Sequence, residues 1–288
     1  MRSNSTIPNE IRGANRMTCN AATGKWMTRF ARVGYAARGV VYLIIGFLAA
    51  KLAIGQGGAA TDQRGALHTI YDEPSGKFLL IVVAIGLLAF ALWSFIQAIY
   101  DTEGQGSKAK GIIARIGYAA VGIAYAALAF GAYQIATRTG SGGKSSSTST
   151  QDATAKLLQL PFGVPLVVIV GLVVLGVAFY LFAKAYNAKF QNTLNLATLS
   201  AQVKKALIFL GRLGYGALGV VFTIIGFFMI VAAVQFNPHQ AKGLDTALGE
   251  LLQLRPFGPV LLGIVALGLI AYGVYSFVEA RYRRLGRA

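Results

Sequence analysis

Long apolar segments constrain this chain more than any other feature of its sequence. Two of them, FLLIVVAIGLLAFALWSFIQAIY (78–100) and VPLVVIVGLVVLGVAFYLFA (164–183), each provide about the 20 residues that a helix needs to cross a ~30 Å hydrocarbon core. Charged residues make up only 13% of the chain, about half the share in an ordinary soluble protein. The sequence therefore predicts an all-α, polytopic integral membrane protein with six transmembrane helices, at residues 33–55, 78–100, 116–137, 164–184, 213–236 and 259–279.

The 27 lysines and arginines indicate how these helices are oriented. Most of them lie in the N-terminal tail, the 101–115 and 185–212 connections and the C-terminal tail, which six spans place on one side of the membrane. Because cytoplasmic loops are enriched in Lys and Arg, we expect both termini to be cytoplasmic and the protein to lie in the bacterial cytoplasmic (inner) membrane. We also expect this charge to attract anionic lipid headgroups at the cytoplasmic face. No nucleic-acid recognition motif accompanies it, so we expect no nucleic-acid partner.

One motif occurs three times and divides the chain into repeats. Its copies are RVGYAARGVVYLIIG from Arg32, RIGYAAVGIAYAALA from Arg115 and RLGYGALGVVFTIIG from Arg212. A PSG or PFG motif then begins a second apolar segment in each repeat. Each repeat is thus a helical hairpin, and the three hairpins share one orientation. Parallel repeats of this kind predict a bundle around a pseudo-threefold axis along the membrane normal.

The repeats also set the expected domain boundaries. The sequence predicts repeat 1 at 29–103, repeat 2 at 111–187 and repeat 3 at 205–284, preceded by a polar, disordered cytoplasmic tail at 1–28. Within each repeat, the connection between the two spans begins with an aspartate that suits the N-cap of a short interfacial helix. In repeat 2 the run TGSGGKSSSTST precedes this helix and is typical of a flexible loop. The three aspartates are Asp62, Asp152 and Asp245.

The thrice-repeated R-x-G-Y-x-x-x-G-x-x-[YF] motif, the P-x-G start of the second helix and the basic end after SFVEARYRR resemble the bacterial membrane family Domain of Unknown Function 1206. The resemblance covers about residues 29–284. It implies a pair of transmembrane helices repeated three times, and it implies no activity and no catalytic residues. The chain departs from the pattern at a few positions, where Val121 and Leu218 replace Arg38, Phe222 replaces tyrosine and Ala129 replaces glycine.

The repeated motif places an arginine, a tyrosine and a glycine at spacings of three and four, so they share one helix face. We expect the arginine to act as an interfacial anchor at the headgroup level, with the tyrosine one turn deeper. The glycine lets a neighbouring backbone pack closely. We interpret this face as a packing surface; the alternative is that the three faces line a central pathway. Its members are the anchors Arg32, Arg115 and Arg212, the tyrosines Tyr35, Tyr118 and Tyr215, and the glycines Gly39, Gly122 and Gly219.

Arg38 is the charge that the other two copies of the motif lack. It lies about two turns into the first span, where an arginine is costly unless it snorkels to the surface or finds a partner. Snorkelling is the expected solution, and the alternative is an inward ion pair with Glu279 near the end of the last helix. Glu279 recurs as Gln97 and Lys184 in the other repeats. We expect solvated helix ends at these three positions, with a polar ring as the alternative.

These features favour a non-enzymatic membrane protein with a structural or partner-binding role, whose protein partner the sequence does not identify. We expect no catalytic site and no cofactor, since the chain carries no phosphate-binding loop, no G-x-S-x-G motif and no paired carboxylates within a span. His68 and His239 stand singly in the connections, so we expect no metal site. The alternative function is a small-solute or ion pathway along the pseudo-threefold axis, lined by Tyr, Gln and Arg38.

Overall fold

The computed structural model of the protein describes residues 9–100, 109–137, 145–196, 199–254 and 256–283. Within these ranges most residues are helical. The elements are α1 (Asn9–Ala53), α2 (Gln63–Tyr71), α3 (Gly76–Tyr100), α4 (Ala109–Thr137), α5 (Ser146–Leu158), α6 (Gly163–Asn187), α7 (Ala201–Val234), α8 (Leu244–Gln253) and α9 (Gly258–Tyr282), with short 3-10 helices at Lys189–Thr193 and Pro238–Gln240.

Six helices in the described ranges are long and apolar enough to cross a membrane. They are α3, α6, α7, α9 and the stretches Thr28–Ala53 of α1 and Gly111–Thr137 of α4. These helices confirm the six predicted spans and their assignment to three pairs. Among these six spans, the start of α7 differs most from the prediction: the span begins at Ala201, whereas the sequence predicted residue 213. Ser200 caps this helix by accepting a hydrogen bond from the Val203 amide at 3.4 Å.

The first helix extends beyond its predicted start. It begins at Asn9, so residues 9–28 are helical where the sequence predicted a disordered tail. This stretch contains no proline, and a helix that has already nucleated grows by one hydrogen bond per residue. Residues 1–8 of the predicted tail lie outside the described residues.

Short helices connect the two spans of each repeat, as predicted, but their N-caps differ from the prediction. Asp62 does cap α2, accepting a hydrogen bond from the Gly65 amide at 2.8 Å. The predictions for Asp152 and Asp245 are wrong. Asp152 lies inside α5, whose N-cap is Ser145, and Asp245 lies in the first turn of α8, after the N-cap Gly243.

The serine-rich run before Asp152 is partly helical rather than a flexible loop. Residues Ser146–Thr150 form the first turns of α5, and residues 138–144 lie outside the described residues. The helix can start here because the Ser145 side chain accepts a hydrogen bond from the Thr148 amide at 3.2 Å. A serine at the N-cap stabilises a helix by about 1 kcal/mol relative to alanine.

The three short helices meet at one end of the bundle, which we call the loop side; the opposite end, where α3, α6 and α9 finish, is the terminal side. On the loop side the Ser146 amide donates to Asp62, and both Ser146 and Ser147 hydroxyls donate to Asp245. The Ser147 hydroxyl in turn accepts from the Gly243 amide at 2.8 Å. These bonds join the N-termini of α2, α5 and α8 into one polar cluster, the loop-side cluster.

The spans of successive repeats pack against one another in the same way three times. The second span of each repeat contacts the first span of another: α3 contacts α4, α6 contacts α7, and α9 contacts α1. At each contact, a phenylalanine that recurs in the three repeats lies against a glycine that also recurs. A Cβ atom placed on the glycine would come within 2.9 Å of the phenylalanine ring. The pairs are Phe95 with Gly122, Phe182 with Gly219 and Phe277 with Gly39. The three glycines of the predicted packing surface therefore lie where one repeat packs against another.

A second seam joins the two spans within repeat 1 and within repeat 3. In repeat 1, a Cβ atom at Gly86 of α3 would lie 2.5 Å from the Cβ atom of Ala37 on α1. In repeat 3, Gly268 of α9 lies against Ala217 of α7 in the same manner. The glycine thus allows two backbones to approach at a distance that any larger residue would prevent.

Repeat 2 lacks this seam among its described residues. Val173 occupies the position of Gly86 and Gly268, and its side chain is 61% exposed. Across from it Ala120 is exposed, and beyond its own helix no atom lies within 4 Å of a Cβ placed on Gly117. Repeat 2 thus carries a branched valine where the closed seams of repeats 1 and 3 carry a glycine. We call the uncovered surface the open seam; it consists of Gly117 and Ala120 on α4 and of Val173, Val177 and Tyr180 on α6.

Paired cysteines test this difference between the repeats. In a Cys19→Ser background, we expect an oxidative crosslink in Ala37→Cys/Gly86→Cys and none in Ala120→Cys/Val173→Cys. Only the first pair lies close enough to reach the ~3.8 Å Cβ separation of a disulfide after a small shift. Gel mobility before and after reduction measures the crosslink. A crosslink at 120 and 173 that forms as fast as the one at 37 and 86 would contradict the open seam.

Candidate functional site

Arg38 lies inside the bundle rather than at its surface. Its residue is only 8% exposed, although it carries a charge on a membrane-spanning helix. Three aromatic rings surround the guanidinium carbon, which lies 4.8 Å from the centroid of Tyr35, 5.0 Å from that of Phe90 and 5.1 Å from that of Tyr272. Rings at these distances stabilise a buried cation through their quadrupoles. The snorkelling expected for Arg38 is therefore wrong.

Glu279 is the counter-charge of Arg38, as in the alternative derived from the sequence. It is 1% exposed, and its two carboxylate oxygens accept hydrogen bonds from Arg38 and from Arg283, the latter at 2.7 Å. The Arg38 Nε also donates to the Ser276 hydroxyl at 3.2 Å. A buried ion pair is tolerated when its remaining donors and acceptors are satisfied in this way. We call Arg38, Ser276, Glu279 and Arg283 the Arg38 centre.

The spacing along α9 explains why one helix supplies most of this centre. Tyr272, Ser276, Glu279 and Arg283 follow one another at intervals of four, three and four, so their side chains lie on the same face. This face is directed at α1, against which α9 packs. Arg38 is consequently bound by Ser276 and Glu279 from successive turns of a neighbouring helix, in addition to the Tyr35 ring of its own helix.

Aromatic contacts extend from the Arg38 centre across the bundle. The Phe90 ring lies 4.6 Å from that of Tyr125 on α4, and the Tyr272 ring lies 5.5 Å from that of Tyr215 on α7. Beyond Tyr215, the Lys184 ammonium of α6 lies 4.2 Å from the ring centroid. The aromatic chain thus connects α4 with α6 through Arg38. These contacts lie in the terminal half of the bundle.

The repeated arginines of the motif make contacts that the sequence did not predict. Arg115 donates to the carbonyl oxygens of Ala98 and Ile99, both at 2.6 Å, at the end of α3. Arg212 donates to the carbonyl of Tyr186 at 3.3 Å, at the end of α6. Both arginines therefore cap the last turn of the span against which their own helix packs. Arg32, at the equivalent position of repeat 1, is exposed.

The other predicted positions differ in their burial. Tyr35 and Tyr215 are buried in the seams of repeats 1 and 3, whereas Tyr118 is only half-buried on α4 beside the open seam. The expectation of solvated helix ends is wrong for Gln97 and Glu279, which are both buried. The Glu279 carboxylate is covered by Arg38 and Arg283, to which it is hydrogen-bonded.

Several residues of the site were not singled out by their sequence, among them Ser276, Arg283 and Phe190, as well as the rings of Phe90 and Tyr272. Ser276 and Arg283 bind Arg38 and Glu279, and their spacing from Glu279 on one helix face was the available signal. Phe190, in the 3-10 helix after α6, packs against Tyr215 and Tyr275 with ring centroids 5.3 and 5.2 Å apart. Nothing in the repeat pattern indicates Phe190, because this segment has no counterpart in the motif.

The comparisons with known proteins agree with the repeat architecture. The family model described as Domain of Unknown Function (DUF1206) matches three separate segments, residues 33–101, 116–188 and 213–283. The chain belongs to this family. It is also similar to the uncharacterized protein YxxB of Bacillus subtilis (strain 168), with 36% identity over 263 residues that cover 91% of this chain and 94% of that protein. No solved structure matches the chain.

Membership of the DUF1206 family accounts for the resemblance seen in the motifs and leaves the activity open. The three matched segments each contain one pair of spans, so the family unit is the pair of helices. The Arg38 centre joins the first of these units to the third. It is thus a feature of the assembled bundle and not of the single family unit.

Removing the charge of Glu279 tests the energetic role of the centre. We expect Glu279→Gln to destabilise the protein by about 3–5 kcal/mol, because it leaves Arg38 buried without its counter-charge. The double variant Arg38→Leu/Glu279→Gln is expected to recover part of this loss, since repeat 3 carries the buried Leu218 at the position of Arg38. Equilibrium unfolding in detergent micelles measures both effects.

The control for this measurement is Glu250→Gln. It breaks the partly exposed ion pair with Lys242, whose Nζ lies 2.9 Å from the Glu250 Oε1, and is expected to cost less than about 1 kcal/mol. An effect of Glu279→Gln no larger than that of the control would show that the buried pair contributes little to stability.

Proposed function

We propose that the protein is a non-enzymatic membrane protein with a structural or partner-binding role, whose bundle is sealed across the membrane. The observation that carries the proposal is the Arg38 centre, where a buried ion pair and its surrounding aromatic rings occupy the terminal half of the bundle. The loop-side cluster closes the other end through hydrogen bonds between α2, α5 and α8. A path for solute along the bundle would have to disrupt both.

The proposal includes the arrangement of the repeats. The three pairs of spans are parallel and related by a pseudo-threefold axis along the membrane normal. The support for this is the cyclic order of the glycine–phenylalanine contacts, which run from repeat 1 to repeat 2, from repeat 2 to repeat 3 and from repeat 3 back to repeat 1. Equivalent contacts that return to their starting repeat are what a closed rotational arrangement requires.

The proposal also places the terminal side in the cytoplasm and the protein in the bacterial cytoplasmic (inner) membrane. Lysines and arginines are concentrated on the terminal side, where they would interact with anionic lipid headgroups. Two exposed residues can serve as probes of this orientation. Glu73 lies after α2 on the loop side, and Gln202 lies at the start of α7 on the terminal side, both exposed.

Cysteine labelling tests the orientation. In a Cys19→Ser background, we expect a membrane-impermeant maleimide to label Glu73→Cys in intact cells, and to label Gln202→Cys only after the membrane is permeabilised. The reason is the excess of Lys and Arg on the side of Gln202. Labelling of Gln202→Cys but not Glu73→Cys in intact cells would invert the proposed topology.

A small-solute or ion pathway is the second candidate function, and one observation favours it. The indole N–H of Trp93 and the hydroxyl of Tyr275 are buried without a hydrogen-bond partner among the described residues. Buried polar groups usually have a partner, so water or a polar solute inside the bundle would satisfy them. The proposal of a sealed bundle and this alternative make opposite predictions about flux.

Flux measurements separate the two candidates. We expect liposomes that contain the purified protein to release ions and small solutes no faster than empty liposomes, for the wild type and for Arg38→Ala. The aromatic rings around Arg38 are expected to remain in contact when the guanidinium is removed. Efflux of an entrapped fluorescent dye and of potassium provides the measurement. Protein-dependent efflux from wild-type liposomes would support the pathway and overturn the proposed function.

A further inference from the structure

At the open seam, α4 and α6 have no neighbour among the described residues. In repeats 1 and 3, the equivalent faces of the two spans pack against each other. In those repeats the equivalent faces are closed by Phe90 against Gly34 and by Tyr272 against Gly214, where a Cβ on either glycine would come within 2.8 Å of the neighbouring backbone. In repeat 2 the facing residue is Val177, which is exposed, and Gly117 has open space beside it. The difference is confined to one of three otherwise similar units.

The two helices of repeat 2 could not pack against each other in the way that the helices of repeats 1 and 3 do. The approach of α3 to α1 depends on Gly86, and that of α9 to α7 depends on Gly268. Val173 at the same position would place its two methyl groups where the facing Ala120 must lie. The space between α4 and α6 is therefore a lasting feature, and at the depth of the hydrocarbon core only an apolar group can occupy it without loss of hydrogen bonds.

The same two helices flank the Arg38 centre. Tyr125 of α4 and Lys184 of α6 are the two ends of the aromatic chain that passes through Tyr215, Tyr272 and Phe90. The open seam thus lies between helices that both face the centre of the bundle, and it leads from the membrane towards that centre.

The terminal end of the open seam carries positive charge. Lys184 follows Tyr180 by one helical turn on α6, and its ammonium lies 6.0 Å from the centroid of the Tyr180 ring. The equivalent residues of the closed repeats are uncharged or negative, namely Gln97 and Glu279. Lys184 lies three residues before the end of α6, and a lysine this close to the end of a span can reach the headgroup level.

We propose that the open seam binds an anionic phospholipid, with one acyl chain between α4 and α6 and its phosphate at Lys184. The acyl chain lies against Val173, Val177 and the surface of Gly117, and Tyr180 contacts the chain near the glycerol backbone. Lys184 provides the charge that selects an anionic headgroup over a zwitterionic one. This proposal does not depend on the sealed bundle, because the site would bind lipid whether or not solutes or ions pass along the axis.

Native mass spectrometry of the full-length protein tests this site. The probes are phosphatidylglycerol and phosphatidylcholine with identical acyl chains, added to protein in a mild detergent. We expect the wild type to retain phosphatidylglycerol preferentially, and Lys184→Gln to lower its retention about fivefold, towards that of phosphatidylcholine. Lys51→Gln is the matched control, because Lys51 lies at the loop-side end of α1, and it should retain lipid as the wild type does.

A second pair of variants tests the acyl-chain position independently of charge. Val173→Trp fills the open seam and is expected to reduce the retention of both lipids. Ile85→Trp, on the exposed face of α3, is expected to leave it unchanged. Equal retention of the two lipids by the wild type, or wild-type retention by Lys184→Gln, would overturn the proposal. A single-span protein that copurifies and displaces the lipid from Val173 would also overturn it. Efflux of dye or potassium from liposomes does not enter this readout, so lipid retention is tested separately from the sealed bundle.

Discussion

The contact between a glycine of one repeat and a phenylalanine of another holds the three repeats together. In a membrane the helices gain no hydrophobic free energy by leaving lipid, so their association depends on close packing and on interhelical polar contacts. The glycine at position 39, 122 or 219 provides the close approach, and the facing phenylalanine fills the space that the missing side chain leaves. Because the same contact occurs at all three junctions, the pairs of helices form one bundle instead of separate hairpins.

Two departures from this repetition give the bundle its individual features. The first is the Arg38 centre, which places a buried cation in repeat 1 and its carboxylate in repeat 3, so that the junction between the first and last helices carries an ion pair. The second is Val173, which replaces a seam glycine and leaves the two helices of repeat 2 uncovered. The first departure makes the junction of α1 with α9 polar, and the second leaves α4 and α6 facing the membrane.

Much of the fold could be predicted from the sequence, whereas little of the site could. The spans followed from apolar runs, and the short connecting helices were expected between the paired spans, although Asp62 is the only one of the three aspartates that caps its helix. The start of α5 was missed because a serine-rich run is compatible with both a loop and an N-cap, and the hydrogen bonds of Ser146 to Asp62 and Asp245 depend on the tertiary structure. For Arg38, the sequence allowed both snorkelling and pairing, because the choice depends on a residue 241 positions away.

The sequence by itself determined the number of spans, the three repeats and the family, since these depend on local apolar length and on motifs that recur in the chain. The tertiary structure alone decided that Arg38 is enclosed by aromatic rings and that the arginines at 115 and 212 cap neighbouring helices. It also decided that one repeat remains open. The physical reason is that a motif specifies which residues a helix presents, whereas burial depends on how closely another helix can approach that face.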